Sequence, residues 1–180
     1  RRYNFSRIYR RAKIVNYNNL VVYFFVFLIF SGLLYVTTPM FFNYNKSDIE
    51  KVICKNQNIE CSIKGKVYYS FFPTPRIKVK NLIINDFFQK KNALITAEDV
   101  TIKLSIKNLL AKEKQKFRKI ELSNFEISLN LKSWKKYKNI FKKEINLIPV
   151  TFADGKILFF DGSDYVATIS DAKINLKFIQ

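Results

Sequence analysis

The chain has 180 residues and a formal net charge of +18, enough for one domain of ordinary size plus an appendage. Hydrophobic residues make up 48 % of the chain and aromatic residues 16 %, which excludes disorder by composition. The sequence contains no histidine, the commonest general base and metal ligand, and no glycine-rich phosphate loop. We therefore predict a protein that is not an enzyme, with no catalytic residues, no metal site and no cofactor.

An uncharged segment covers residues 14–45, and its centre, LVVYFFVFLIFSGLLYV, is almost entirely apolar. Residues 19–38 supply the roughly 20 residues that a bilayer core requires. A cleaved signal peptide has a shorter apolar region and ends at a small-residue cleavage site, which this segment lacks. The segment predicts a retained transmembrane anchor.

Flanking charge predicts the orientation of this anchor. Residues 1–13 carry six cations and no acid, whereas the charges just after the anchor balance. The positive-inside rule then places the amino terminus in the cytoplasm and exports the rest. We predict a cytoplasmic tail at 1–13, the anchor with its flanks at 14–45, and an exported β-rich domain at 46–180, which we expect to be truncated at its C-terminus.

Two cysteines, Cys54 and Cys61, lie in the exported part within CKNQNIEC. An oxidising compartment permits a disulfide between them, and two buried free thiols are the alternative. A metal site would need further cysteine or histidine ligands, which the sequence lacks.

Two short helices are predicted in the exported part. Ser47 and Glu50 have the spacing of a capping box, which predicts a helix over 47–56. SWKKYKNIFKKE at 133–144 predicts a second helix, with Trp134, Tyr137, Ile140 and Phe141 on one stripe; Trp134 and Phe141 pack inward if the opposite side of the helix is a solvated face. The lysines of this helix either contact anionic head groups or form a solvated face; they are Lys135, Lys136, Lys142 and Lys143.

Most of the exported part alternates apolar and polar residues, which predicts half-buried strands. The clearest examples are RIKVKNLIIN, VTIKLSI, IELSNFEISLNL and AKINLKF, and KVYYSFF adds an aromatic strand that two prolines end. The alternation slips by one residue near Asn81 and at Asn124, as a bulge would cause. Hairpin turns are predicted at 153–156 and 161–164 from their Asp-Gly pairs.

The predicted fold class is therefore α+β and mainly β: an amino-terminal transmembrane helix, then a twisted, groove-like antiparallel sheet with one or two short helices. The apolar side of the strands either lines an open groove or packs in a closed core, because periodicity does not separate the two. The residues on this side are Ile77, Val79, Val100, Ile102, Leu104, Ile120, Leu122, Phe125, Ile127 and Leu129.

From about residue 49 to 178, the order of elements resembles the amino-terminal region of the AsmA-like family. The segments that carry the resemblance are VKNLIIND, ALITAEDVTIKLSIKNLLAKE, FRKIELSNFEISLNLKSW and FADGKILFFDGSDYVATISDAKINLKF. The sequence departs from the family at Asn124, where relatives often have proline. The resemblance implies an inner-membrane protein of a Gram-negative-type cell, with its bulk in the periplasm and a role in outer-membrane biogenesis.

The resemblance further implies that the apolar strand faces guide phospholipid between the two membranes. The predicted partners are thus the bilayer and a phospholipid cargo, with head groups meeting lysines at the rim. A scaffold or assembly factor of the envelope is the alternative. Nucleic acid is excluded as a partner because the anchor places the basic domain outside the cytoplasm.

Overall fold

A computed structural model describes residues 17–54, 59–87, 92–141 and 148–176. The chain divides into two compact units, Arg1–Tyr35 and Val36–Gln180. Helix α1, Tyr17–Thr37, contains most of the predicted anchor, and the stretch Asn19–Phe41 is long and apolar enough to cross a membrane. A 3₁₀ turn, Thr38–Phe41, follows it. The predicted cytoplasmic tail lies outside the described residues.

The described residues of the second unit form a seven-stranded sheet with neighbours in the order β1-β3-β4-β5-β6-β7, and β2 also pairs with β3. The strands are β1 Cys61–Ile63, β2 Val67–Ser70, β3 Arg76–Asn85, β4 Ala93–Leu104, β5 Phe117–Asn130, β6 Val150–Asp161 and β7 Asp164–Leu176. Two short helices accompany the sheet, α2 Lys46–Ile53 and α3 Trp134–Phe141. This confirms the predicted fold class.

One strand pair departs from the predicted antiparallel pattern. Strands β5 and β6 run parallel, whereas the other neighbours are antiparallel. A parallel pair requires a crossover connection between its strands. Here the segment between Asn130 and Val150 contains a 3₁₀ turn and α3, so the predicted second helix forms part of this crossover.

The predicted capping box of α2 is wrong. Asn45 occupies the N-cap position without a side-chain hydrogen bond, and Ser47 lies within the helix. The Glu50 carboxylate instead accepts a hydrogen bond from the Ile63 N–H at 2.7 Å. Glu50 therefore joins α2 to strand β1, because a carboxylate used by a neighbouring strand does not cap its own helix.

The hairpin turn predicted at 153–156 is also wrong, since these residues lie inside β6. Asp154 has a φ of 57°, so the chain makes a local irregularity and then continues along the same strand. The turn predicted at 161–164 does form between β6 and β7: Asp161 pairs with Asp164, and Gly162, with a φ of 70°, and Ser163 are the two turn residues.

Candidate functional site

Most of the apolar residues of the strands lie on one side of the sheet, which we call the apolar face; in the distal half, Leu94 and Phe160 lie on the other side. Cross-strand partners lie on the same side of a sheet. The pairs Ile77–Ile102 and Ile102–Ile120 place these three residues on this face, and Leu122 pairs with Phe152 farther across the sheet. The opposite face carries Lys78 and Lys103, among other polar residues.

A line of irregular residues, which we call the crease, crosses the sheet. Asn81, Asn124, Asp154 and Asp171 all have positive φ angles between 51° and 57°. In β4, Glu98 lies at the same level, and its carboxylate accepts a hydrogen bond from the Asn124 amide at 3.3 Å. Asparagine and aspartate tolerate this left-handed conformation better than other residues with a side chain.

The crease keeps the apolar residues on one face. Where a strand crosses the crease, successive buried residues are three positions apart in the sequence, whereas elsewhere in the strand they are two positions apart. The flanking pairs are Val79 and Leu82, Ala97 and Val100, Leu122 and Phe125, and Phe152 and Gly155. The phase slips predicted at Asn81 and Asn124 are thus part of one feature that spans the sheet.

The crease divides the apolar face into a proximal and a distal half. The proximal end of the sheet is the end where β3 begins and β4 terminates, and there the Tyr69 hydroxyl donates to the Val36 carbonyl at 2.7 Å. The distal end is the end that contains Asp86 and the 161–164 turn. Burial raises the pKa of Tyr69 to about 12, and the nearby Tyr44 contributes to the shift.

The proximal half is a closed core. Helix α2 lies along β1, which pairs with β3 at residues 82–84, just beyond the crease; Lys46 donates to the Lys64 carbonyl near one end of α2 and a disulfide joins Cys54 to Cys61 at the other. Ile49 of α2 and Leu109 of the β4–β5 loop are buried. Asp48 pairs with Lys112 at 3.2 Å, which links the helix to that loop. The apolar residues of the proximal half are themselves almost fully buried, which shows that this half is closed.

A row of isoleucines crosses five strands just beyond this cover, and we call it the isoleucine row. It consists of Ile84, Ile95, Ile127, Ile157 and Ile169, each paired with the next. Cys61 pairs with Ile84, so the row begins beside the disulfide that joins β1 to the C-terminal end of α2. Its members are partly exposed, and Ile169 on β7 reaches 50 % exposure.

The residues predicted to face lipid divide between these two halves. Ile77, Val79, Val100, Ile102, Leu104, Ile120, Leu122 and Phe125 are all at most 7 % exposed. Ile127 and Leu129 lie beyond the crease and are partly exposed. Sequence analysis missed Ile157, Phe159 and Ile169, which register places beside them. Recognising 153–156 as strand would have extended β6 through the apolar run at residues 157–160 and indicated Ile157 and Phe159.

Two aromatic rings close the core at the crease. Phe125 and Phe152 form an edge-to-face pair with centroids 5.1 Å apart. A Cβ at position 155 would overlap the Phe125 ring, so glycine is required at this position. The isoleucine row starts on the distal side of this pair.

Helix α3 follows β5 at the distal end. The buried Tyr137 donates its hydroxyl to the Asp86 carboxylate at 2.9 Å, and burial followed by this hydrogen bond raises the pKa of Tyr137 to about 12. Trp134 is 53 % exposed, so its predicted inward packing is wrong. Tyr137 is buried, but Trp134, which was predicted on the same side of the helix, remains exposed.

The predicted head-group contacts lie on and after this helix. Lys135 and Lys136 are exposed on α3, at the distal end of the sheet. Lys142 and Lys143 lie outside the described residues, as do the side chains of Ile140 and Phe141. Contact between these lysines and head groups stays a prediction.

Cys54 and Cys61 are bonded in the structure, with their Cα atoms 6.0 Å apart. We expect neither sulfur to react with a maleimide until the protein is reduced, because both are committed to the bond. Replacing both with serine should lower the free energy of unfolding by about 2 kcal/mol on the loop-entropy model. Alkylation gel shifts and urea unfolding measure the two effects. Equal labelling with and without reductant would contradict the pairing in the native protein.

The model of the AsmA family matches residues 12–150. No curated protein and no solved structure matches the chain. The matched range contains helix α1 and the sheet from β1 to the start of β6.

Proposed function

Because the chain belongs to the AsmA family, we propose that it is a membrane-anchored envelope protein that guides phospholipids between the inner and outer membranes. The observation that carries this proposal is the isoleucine row: an apolar band across five strands that is partly exposed in the described residues. The proposed path of the acyl chain is the distal half of the apolar face.

Such a band suits an acyl chain for two physical reasons. Each methylene removed from water contributes about 0.8 kcal/mol, so a chain laid along the row gains from every side chain it contacts. The strands that carry the row pair with one another, so their backbone groups are largely satisfied within the sheet and need no water. Polar head groups would remain outside the band, where the distal lysines of α3 are exposed.

The proposed compartment follows from charge and from the family. The six cations of residues 1–13 favour a cytoplasmic amino terminus of a single-pass inner-membrane protein. The domain after the anchor is then periplasmic, and this oxidising compartment suits the Cys54–Cys61 disulfide.

A scaffold or assembly factor of the envelope is the second candidate. The observation that favours it is the closed core: eight of the ten residues predicted to face lipid are buried, seven of them in the proximal half. A sheet used only for support needs such a core and no exposed apolar path. The two candidates differ in whether lipid contacts the distal half.

A photo-crosslinking residue tests the lipid path in cells. At Ile127 it should capture phospholipid, because this position lies in the partly exposed row. At the adjacent Ser128, which alternation places on the opposite face, it should not. The buried Ile102 is a second control, since its side chain is 0 % exposed.

Phospholipid adducts at Ile127 alone would support the path. Adducts to protein and none to lipid at Ile127, in a chain that remains folded, would favour the scaffold. Equal lipid capture at Ile127 and Ser128 would contradict a face-specific path.

A further inference from the structure

The proximal end of the sheet exposes large apolar side chains at its loops. Phe72, in the loop between β2 and β3, is 76 % exposed, and Phe41, in the 3₁₀ turn, is 88 % exposed. Ile106 and Leu110, in the loop between β4 and β5, are each more than half exposed. Apolar side chains grouped in this way mark surfaces that bind a membrane or another protein.

Backbone contacts bring these segments together. The Leu104 N–H donates to the Pro75 carbonyl at 2.9 Å, so the β2–β3 and β4–β5 loops leave the sheet side by side. Strand β2 contacts the 3₁₀ turn that contains Phe41. The exposed apolar residues therefore belong to one end of the fold.

The same end is strongly basic. Residues 105–119 contain six cations and a single acid, Glu113. The cations are Lys107, Lys112, Lys114, Lys116, Arg118 and Lys119. On the face opposite the apolar face, Arg76 lies beside Lys103 in the strand register, and Lys103 lies beside Lys119. These residues add a row of positive charge across three strands.

One acid partly offsets this row. Glu121 accepts hydrogen bonds from Lys103 and Lys119, both at 2.8 Å. Burial raises the pKa of Glu121, but the two lysine hydrogen bonds outweigh it and the pKa lies below its usual value. Glu121 therefore keeps its charge near neutral pH, and the proximal end remains basic because its cations outnumber its acids, which are Glu113, Glu121 and Asp48, the partner of Lys112.

The position of this end in the chain identifies its partner. Val36 and Phe41 belong to the same compact unit as the sheet, and both lie in the stretch that is apolar enough to cross a membrane. The Tyr69 hydroxyl donates to the Val36 carbonyl, so the proximal end contacts the last residues of that stretch, 36–41, which belong to its own unit. Apolar loop tips beside cations match the interface of a bilayer with anionic lipids.

We propose that the proximal end is a membrane-surface binding site that rests on the anionic phospholipid bilayer. The Phe72 ring enters the interfacial layer together with Ile106 and Leu110. The surrounding cations, including Arg76 and Lys107, bind lipid phosphates. This second contact with the membrane is additional to the anchor, and it does not depend on whether the isoleucine row guides lipid.

Fluorescence quenching in vesicles tests the site with the full chain. In a Trp134→Phe background, Phe72→Trp places the sole tryptophan at the proximal loop. The matched control is Tyr165→Trp, because Tyr165 is also an aromatic residue more than half exposed and follows the distal turn. Vesicles containing phosphatidylglycerol and lipids brominated near the head group should quench the Phe72→Trp variant and leave the Tyr165→Trp variant unquenched.

The charge requirement has its own comparison. Quenching of the Phe72→Trp variant should be weaker in vesicles of neutral phosphatidylcholine alone, and high salt should reduce it in the anionic vesicles. Absence of quenching at position 72 in anionic vesicles would overturn the site. Equal quenching in neutral and anionic vesicles would overturn the assignment of anionic head groups as its ligand. Phe72 protected by a second copy of the chain, with no quenching by lipid, would also overturn it.

Discussion

Replacing Ile102 with aspartate is expected to prevent the sheet from folding. Ile102 is 0 % exposed at the centre of the proximal half, and its cross-strand partners are two further isoleucines, Ile77 and Ile120. A carboxylate at this position would be buried without a partner, which costs several kcal/mol and a large part of a domain's stability. Protease resistance of the full chain in membranes measures the loss.

The matched variant is Ile127→Asp. Ile127 lies in the same strand pair and differs from Ile102 by being partly exposed beyond the crease. Water can solvate the new carboxylate there, so this variant should remain resistant to protease. If Ile127→Asp unfolded as completely as Ile102→Asp, the distal half would be a closed core in the native protein and the lipid path would be lost.

Replacing Gly155 with valine is expected to destabilise the domain by about 3 kcal/mol, the upper end of the usual cost of overpacking. A Cβ at this position overlaps the Phe125 ring, and Phe125 is itself packed against Phe152. Both rings are buried, so moving either one disturbs the packing of the core around it. Urea unfolding of the full chain in detergent measures the change.

A compensating pair distinguishes overlap from other effects of the substitution. Gly155→Ala should destabilise less in a Phe125→Ala background than in the natural chain, because the smaller residue leaves space for the new methyl group. This coupling should be absent for Gly32→Ala, since nothing lies within 4 Å of a Cβ at Gly32. Additive effects of Gly155→Ala and Phe125→Ala would show that the overlap is not the cause.

The alternation of the sequence predicted the sheet and its apolar side because a half-buried strand has a period of two. It also located the slips at Asn81 and Asn124, where apolar residues on one face become three positions apart. The same signal at Asp154 was interpreted as a hairpin, because an Asp-Gly pair between apolar runs is typical of one. Only the pairing of β6 with β5 shows that the chain continues straight.

The candidate site was harder to predict from the sequence. Ile102 and Ile127 have equivalent positions in the alternation, yet one is buried and the other is partly exposed. Ile102 lies between two other buried isoleucines, Ile77 and Ile120, whereas Ile127 lies between Ile95 and Ile157 of the partly exposed isoleucine row. Periodicity describes the faces of a strand and contains no information on which other element covers them.

The crease also restricts how this protein can change length. Removing Asn124 alone would leave Leu122 and Phe125 two positions apart, the usual spacing on one face, but it would make β5 one residue shorter than its neighbours at the crease, so the residues after it would lose their register with β4 and β6. A deletion at this level is therefore tolerated only if the adjacent strands lose their own extra residue at the same time. Insertions and deletions in β3 to β7 are coupled across the sheet, although the residues concerned are as far apart in the chain as Asn81 and Asp171.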